Sequence, residues 1–183
     1  DEYQIPEREP HFEQIPTALH PLVRTALEGT FPSGIYSHQA KGIDLLLDNQ
    51  DICLATPTAS GKSLVFMSYS ADLLLRTPEA KVLALYPAKA LIQDQLKKWK
   101  TFLTPLNLPV GYIDGAVRSP ERAAILRKSK VVLMTPDVAH AWIMSNLSNQ
   151  DVASFLSAVS LLILDEAHVY DGVFGTNMAF FLR

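Results

Sequence analysis

Ala-Thr-Pro-Thr-Ala-Ser-Gly-Lys-Ser-Leu at residues 55–64 and Leu-Leu-Ile-Leu-Asp-Glu-Ala-His at residues 161–168 decide how this chain is read. The first stretch has the form of a loop that binds phosphate. Asp51–Ala55 before it is a short apolar run suited to a buried parallel strand. After it, Leu64, Val65, Met67, Leu73 and Leu74 recur at helical spacing from Lys62 to Leu75. Strand, tight loop and helix are the context that such a loop requires. The helix N-terminus offers N–H groups and a positive dipole end to an anion. Gly61 lets the backbone approach a phosphate, Lys62 can reach the β- and γ-phosphates, and the Ser63 hydroxyl can ligate Mg²⁺. Thr56 stands where the pattern G-x-x-x-x-G-K-[ST] has its first glycine, so an ordinary loop containing Ser-Gly-Lys-Ser is the alternative for this stretch alone.

The second stretch settles the choice. Val159–Leu164 is almost wholly apolar and predicts a central parallel strand, and charge appears abruptly at Asp165 and Glu166. Ligands of open α/β sheets sit at the carboxyl ends of strands. Asp165 is then placed to hold Mg²⁺, and Glu166 to orient or deprotonate an attacking water. A helix-capping acidic pair explains this motif alone, but not both motifs, each after a buried strand.

With these residues in hand, the chain resembles superfamily 2 helicases of the DEAD/DEAH-box kind. Thr56–Ser63 looks like their motif I, where Thr in place of the first Gly is a family habit. Asp165-Glu166-Ala167-His168 looks like motif II, and Tyr36-Ser37-His38-Gln39 like the glutamine motif that reads adenine. Tyr86–Leu91 resembles motif Ia and Thr135-Pro136-Asp137 resembles motif Ib. Five motifs in order cover about residues 35–180. Segments 36–39, 86–95, 114–135 and 168–176 resemble more narrowly the DNA-repair helicases of the mitomycin-repair type, where a Gly-Val-Phe-Gly run follows the acidic box, as Gly172–Gly175 does here. Ala59 stands where many relatives have Gly, and Asp171 where a basic residue is expected.

The resemblance implies a RecA-like P-loop NTPase fold, α/β, with a mostly parallel sheet and helices on both faces. It implies ATP binding by Tyr36, Gln39, Thr58, Ala59, Ser60, Gly61, Lys62 and Ser63. It places Mg²⁺ on Ser63 and Asp165 and catalysis on Lys62 and Glu166. Nucleic acid would be met by Pro87, Lys89, Gly115, Thr135, Pro136 and Asp137, and His168 would couple the nucleotide site to a second lobe. Gln39 can both donate to and accept from the adenine edge; a solvated glutamine at a helix start is the plain alternative. Pro87, Lys89, Thr135 and Asp137 follow strand ends, where backbone N–H groups and short hydroxyls bind phosphates without reading sequence. His168 could instead be a packed core histidine. Trp99 and Trp142 are expected to pack in the core or at its edge rather than stack on bases.

The rest of the chain agrees with this frame. Its 183 residues suffice for one domain, and 48% hydrophobic with 19% charged residues fits a globular chain. The single cysteine, Cys53, excludes a disulfide framework, and no apolar run is long enough to span a membrane. An intracellular, cytoplasmic setting is expected. Net charge −3 argues against a wholly basic surface. The basic segments Lys89–Lys100 and Arg118–Lys130 read mainly as solvated helix faces.

Residues 1–34 are read as an extended lead-in with a helix at Thr17–Glu28, and residues 35–183 as the first helicase lobe. Within the lobe, Ser37 caps a helix to about Asn49. Strands are expected at Lys81–Tyr86, Val110–Ile113 and Val131–Thr135. Helices are expected at Ala88–Phe102, Pro120–Lys128, Asp137–Ser145 and Asp151–Ser157, with a last one after Gly175. Nothing resembles the Ser-Ala-Thr motif or the arginine-bearing motif VI of a second lobe, so a longer parent chain is expected to supply it. The isolated lobe would bind ATP but hydrolyse it weakly. The function expected is ATP-dependent translocation along, and unwinding of, a nucleic acid, with DNA favoured over RNA. The alternatives are an RNA helicase and a nucleotide-gated binding module that does not unwind.

Overall fold

A computed structural model describes residues 11–55 and 60–181. The chain forms two compact units, one ending at Asp72 and the other starting at Leu73.

In the first unit, β1 (Phe12–Glu13) pairs antiparallel with β2 (Ile35–Tyr36). Helix α1 (Pro21–Thr30) buries Val23 and Leu27. It starts later than the expected Thr17, because Pro21 has no N–H to give and suits the first helical position. His20 caps it, its Nδ1 accepting from the Leu22 N–H at 3.3 Å. Helix α2 (Ser37–Leu47) buries Ala40, Ile43 and Leu46. Ser37 is its first residue rather than its cap; Tyr36 holds the cap position, and its N–H donates to Gln39 Oε1 at 3.0 Å. Helix α3 (Lys62–Arg76) begins in this unit and ends in the second; it buries Val65, Met67, Ala71 and Leu74, as the apolar spacing predicts. The carboxylate of Asp72, itself buried, accepts from the His20 N–H at 2.5 Å.

The second unit alternates β3 (Lys81–Leu85), α4 (Lys89–Leu103), β4 (Val110–Ile113), α5 (Ser119–Lys128) and β5 (Val131–Met134). There follow α6 (Pro136–Val138), a π turn at Ala139–Ile143, α7 (Gln150–Ala158), β6 (Val159–Leu164) and α8 (Gly172–Phe181). The sheet order is β4-β5-β3-β6 and every pairing is parallel. Val82 faces Val131, and Ala84 faces Ile163. β5 is buried along its whole length and β3 from Val82 onward, which is why both read as unbroken apolar runs. Leu83, Leu85, Val132 and Met134 pack with Leu126 of α5, Ile143 of the π turn and Phe155 of α7. Trp99 of α4 is fully buried, and its Nε1–H donates to the Tyr86 hydroxyl at 3.0 Å. The end of α5 is closed by Lys81, whose ammonium donates to the carbonyls of Leu126 at 3.1 Å, Arg127 at 3.2 Å and Ser129.

Three further expectations are corrected. Among the described residues, the run 51–55 joins no ladder, and Cys53 is exposed rather than buried. Only Ile52 and Leu54 are half-buried, and an apolar run cannot supply its own hydrogen-bond partners. Among the described residues β6 is an edge strand, not a central one, because β3 alone pairs with it there. Its Leu162 and Leu164 lie on one face of the strand and are exposed, whereas Ile163 on the other face is buried. The last helix begins at Gly172, ahead of Gly175. No helix among the described residues is long and apolar enough to cross a membrane.

Candidate nucleotide and nucleic-acid site

In the first unit the site is built around the turn that opens α3. Gly61 has φ +76°, a left-handed conformation that suits glycine. Its carbonyl accepts from Gln39 Nε2 at 3.0 Å, and the Ser60 carbonyl accepts from His38 Nε2 at 2.9 Å. Two side chains from the first turn of α2 thus hold the turn before α3. A Cβ on Gly61 would lie 2.3 Å from Gln39 Nε2, so space as well as backbone conformation calls for glycine. Lys62 and Ser63, half-buried, form the first turn of α3, where N–H groups point out of the helix end. Thr58 and Ala59 lie outside the described residues.

Gln39 is buried, which rules out the solvated reading. An amide carries two N–H donors and two acceptor lone pairs. The bonds to Tyr36 and Gly61 use one of each. Tyr36 is exposed and stands in a row of three rings: Phe12 at 5.0 Å on one side and His38 at 5.7 Å on the other, both stacked. Beside this row lies an open cavity of about 490 Å³, lined by Glu13, Ser37, His38, Lys41, Asp44, Leu45 and Asp48. Sequence reading missed Phe12, which sits in the polar lead-in and is brought to Tyr36 only by the β1–β2 register. It also gave His38 no role of its own.

In the second unit, the Asp165 N–H donates to the Leu85 carbonyl at 3.0 Å, extending the β3–β6 ladder by one residue. The Asp165 Oδ1 accepts from the Glu166 N–H at 3.0 Å. Glu166 has φ 50° and ψ 47°, the left-handed region that a non-glycine residue rarely occupies. Its carboxylate stands 3.4 Å from His168 Nδ1. His168 is three-quarters exposed, which excludes the packed-core alternative. Burial, with a further push from the Asp165 charge, raises the Tyr170 phenol to about 12. Burial also pushes up Tyr86, against the lowering effect of the Trp99 hydrogen bond and with a smaller push from Asp165. A Cβ on Gly175 would lie 2.6 Å from the Tyr170 carbonyl, which accounts for the second glycine of Gly-Val-Phe-Gly.

The other candidates follow the carboxyl ends of β3, β4 and β5, where open sheets bind ligands. Lys89 is exposed, and a Cβ on Gly115 would lie 3.4 Å from its Nζ, so the ammonium reaches the loop after β4. Asp137 is exposed, Pro87 half-buried, and Thr135 and Pro136 buried. The lysines at 97, 98 and 100 are solvated, as expected, and Lys98 pairs with Asp94 at 3.1 Å. Among the described residues no group of three or more His, Cys, Asp or Glu side chains could hold a metal ion.

The family model for DEAD/DEAH box helicases matches residues 36–183. The chain is 34% identical to the ATP-dependent helicase HRQ1 of Saccharomyces cerevisiae, over 99% of its own length and 17% of the yeast protein. It is 33% identical to an ATP-dependent helicase of Methanocaldococcus jannaschii, over 99% of its length and 27% of that protein. Its fold matches the crystal structure of the DUF1998 helicase MrfA bound to DNA and AMPPNP with a TM-score of 0.87 and 25% identity, covering 96% of this chain and 25% of that one. The chain thus spans about a sixth to a quarter of the length of these relatives. An α/β fold with a parallel sheet, a glycine turn opening α3 and an acidic pair after β6 agree with these likenesses, and the chain belongs to the DEAD/DEAH box helicases.

Proposed function

We propose that this chain is the ATP-binding lobe of a motor that moves along nucleic acid, DNA in the first instance, and separates its strands inside the cell. The observation that carries the reading is the turn 60–63: a left-handed glycine at the start of a long helix, its carbonyl held by the buried Gln39. That arrangement suits phosphate oxygens, because the N–H groups of the first turn and the ammonium of Lys62 are the donors nearest the helix end. In this reading Thr58, Ala59, Ser60 and Gly61 shape the loop. The remaining N–H and lone pair of the Gln39 amide meet the adenine edge, and the exposed rim of the Tyr36 ring borders the base.

The donor set fits a Mg²⁺ ion carried in with the nucleotide. Such an ion takes one or two protein oxygens, keeps waters and shares the phosphates. Ser63 and Asp165 would supply these oxygens. When bound, the ion would neutralise charge on the phosphates. Glu166 orients the attacking water and takes its proton. His168, exposed and beside Glu166, is the link to a second RecA-like lobe of the parent chain. Lys89, the loop at Gly115 and the segment 135–137 hold the strand through its backbone. Thr135 and Pro136 act there through main-chain groups, since their side chains are buried. An arginine finger from a second lobe is worth about 10³–10⁵ in related systems, so the isolated lobe hydrolyses ATP weakly.

The test is the ATPase rate of the full-length protein with single-stranded DNA, with RNA and with neither, using Glu166→Gln as control. Stimulation by DNA that the control abolishes is the expected result. Stimulation by RNA alone would move the protein to the RNA helicases. Tight nucleotide binding without turnover under every condition would make it a gated binding module.

A further inference from the structure

Arg122 is grouped by sequence with the solvated basic residues, but the structure uses it otherwise. It lies on α5, half-buried. Its Nε donates to the Val117 carbonyl at 2.8 Å and its Nη2 to the Asp114 carbonyl at 3.4 Å. Both carbonyls belong to the loop that leaves β4. The same guanidinium stands 5.4 Å from the ring centroid of Trp142, in the π turn that follows β5. One planar cation therefore joins the loops after two neighbouring strands.

Both sides of this joint are prepared for it. Asp114 is buried, and its carboxylate accepts from the Ala116 N–H at 2.8 Å, so the loop is folded back on itself. The main chain at Trp142 is fixed by Asn146, whose Nδ2 donates to the Trp142 carbonyl at 2.7 Å. The nearest acid on α5, Glu121, is occupied by Arg118, with Nε to Oε1 at 2.7 Å. A π turn inserts one extra residue into a helical turn and so re-aims the side chains beyond it; such turns recur at functional sites. A lysine could not serve both partners, because it lacks the flat fork that donates along its edge and stacks on its face.

We infer that Arg122 is a positioning residue for nucleic-acid binding: it clamps the loop at Gly115 to the π turn that continues the 135–137 segment, so that the groups that touch the strand backbone keep one spacing. The inference rests on the reading that Lys89, Gly115 and the 135–137 segment meet the strand. Arg122 itself touches no phosphate in this account.

The salt dependence of affinity tests it. On single-stranded DNA each cation that touches a phosphate adds about 0.7, close to one, to the slope of log affinity against log salt, whereas a positioning residue adds nothing. Single-stranded DNA binding by the full-length protein is measured by fluorescence anisotropy across a salt series, alongside AMPPNP affinity and thermal melting. Arg122→Ala is expected to weaken DNA binding about tenfold with unchanged slope, unchanged AMPPNP affinity and a melting temperature lowered by about a few degrees at most. Trp142→Ala should match it, Trp142→Phe should bind nearly as wild type, and the double alanine variant should be no weaker than either single one. Should Arg122→Ala fail to fold, Arg122→Lys decides: it is expected to weaken binding at unchanged slope. A slope lowered by about one, an additive double variant, or wild-type binding by Arg122→Ala would each overturn the inference. Lys89→Ala separates the two layers. If it lowers affinity and slope while Arg122→Ala is silent, the clamp alone fails. If it changes neither, the strand-facing reading fails and takes the clamp with it.

Discussion

Glu166 carries a cost in its backbone. Left-handed φ and ψ cost a residue with a Cβ about 1–2 kcal/mol. The position would suit glycine or asparagine, yet it holds the carboxylate assigned to the water. Glu166→Gly is therefore expected to melt at or above the wild-type temperature, by up to about 1 kcal/mol after the entropy of a freer unfolded chain is subtracted. It should lose ATP turnover all the same. Glu166→Gln should lose turnover with stability unchanged. Calorimetry beside a phosphate-release assay reads both, and a Glu166→Gly protein less stable than wild type would remove the strain argument. Gly61 presents the opposite case, since its conformation has no alternative residue. Gly61→Ala must carry the left-handed cost and displace Gln39, so nucleotide affinity should fall at least tenfold and stability by about 1–2 kcal/mol. Equilibrium binding of a fluorescent ATP analogue checks the first and urea unfolding the second. At this scale the sequence spoke clearly about Ser60–Ser63 and Asp165–Glu166, because phosphate and water chemistry demand particular atoms within a few residues. It was silent on Phe12, on the bond of His38 and on the stacking of Arg122 on Trp142, whose partners lie 20 or more residues away.

Elements show where periodicity suffices and where it fails. Val110–Ile113 and Val131–Met134 were legible as strands because each is a short apolar run bounded by turn residues, and both found ladder partners. Residues 51–55 have the same appearance and no ladder, since pairing belongs to the sheet and not to the run. The exposed edge of β6 was hidden for the same reason: composition does not encode strand order. The π turn at Ala139–Ile143 was equally invisible inside an expected helix, as no local propensity marks an inserted residue. Contact between elements makes its own prediction at Gly111. A Cβ there would sit 2.3 Å from Ser129 Oγ and 2.6 Å from Ile125 Cγ2, so α5 rests directly on the β4 backbone. Gly111→Ala should push the helix off the strand and cost about 1–3 kcal/mol, read as a lowered urea midpoint. Because α5 carries Arg122, the same variant should also weaken DNA binding, and unimpaired stability would show that the helix moves freely at this contact.

The molecule as a whole responds to alkali through its buried phenols. Tyr170 is raised from 10.0 to about 12 and Tyr86 is raised further. Above pH 10 the unfolded chain releases protons that the native chain keeps, so the unfolded state binds fewer and stability falls with rising pH. The contribution is complete below pH 10 and is lost as pH climbs towards and through about 12. Unfolding midpoints taken from pH 9 to 12 should decline across that window, and phenolate absorbance at 295 nm should show a late, cooperative step as Tyr86 is released. A single gradual titration near pH 10 would contradict the burial of these rings.

The sheet order also has a consequence in time. Among the described strands, the inner strand β3 is the first of this sheet to be made, and it pairs with β6, the last of the four. At about 5–20 residues per second, a ribosome needs several seconds to travel from Leu85 to Val159. During that interval one flank of an almost wholly apolar strand has no neighbour, and Val82 to Leu85 offer a sticky template to any other nascent chain. The order of the strands thus sets a waiting period in which the newborn protein depends on being shielded, well before it meets a nucleotide.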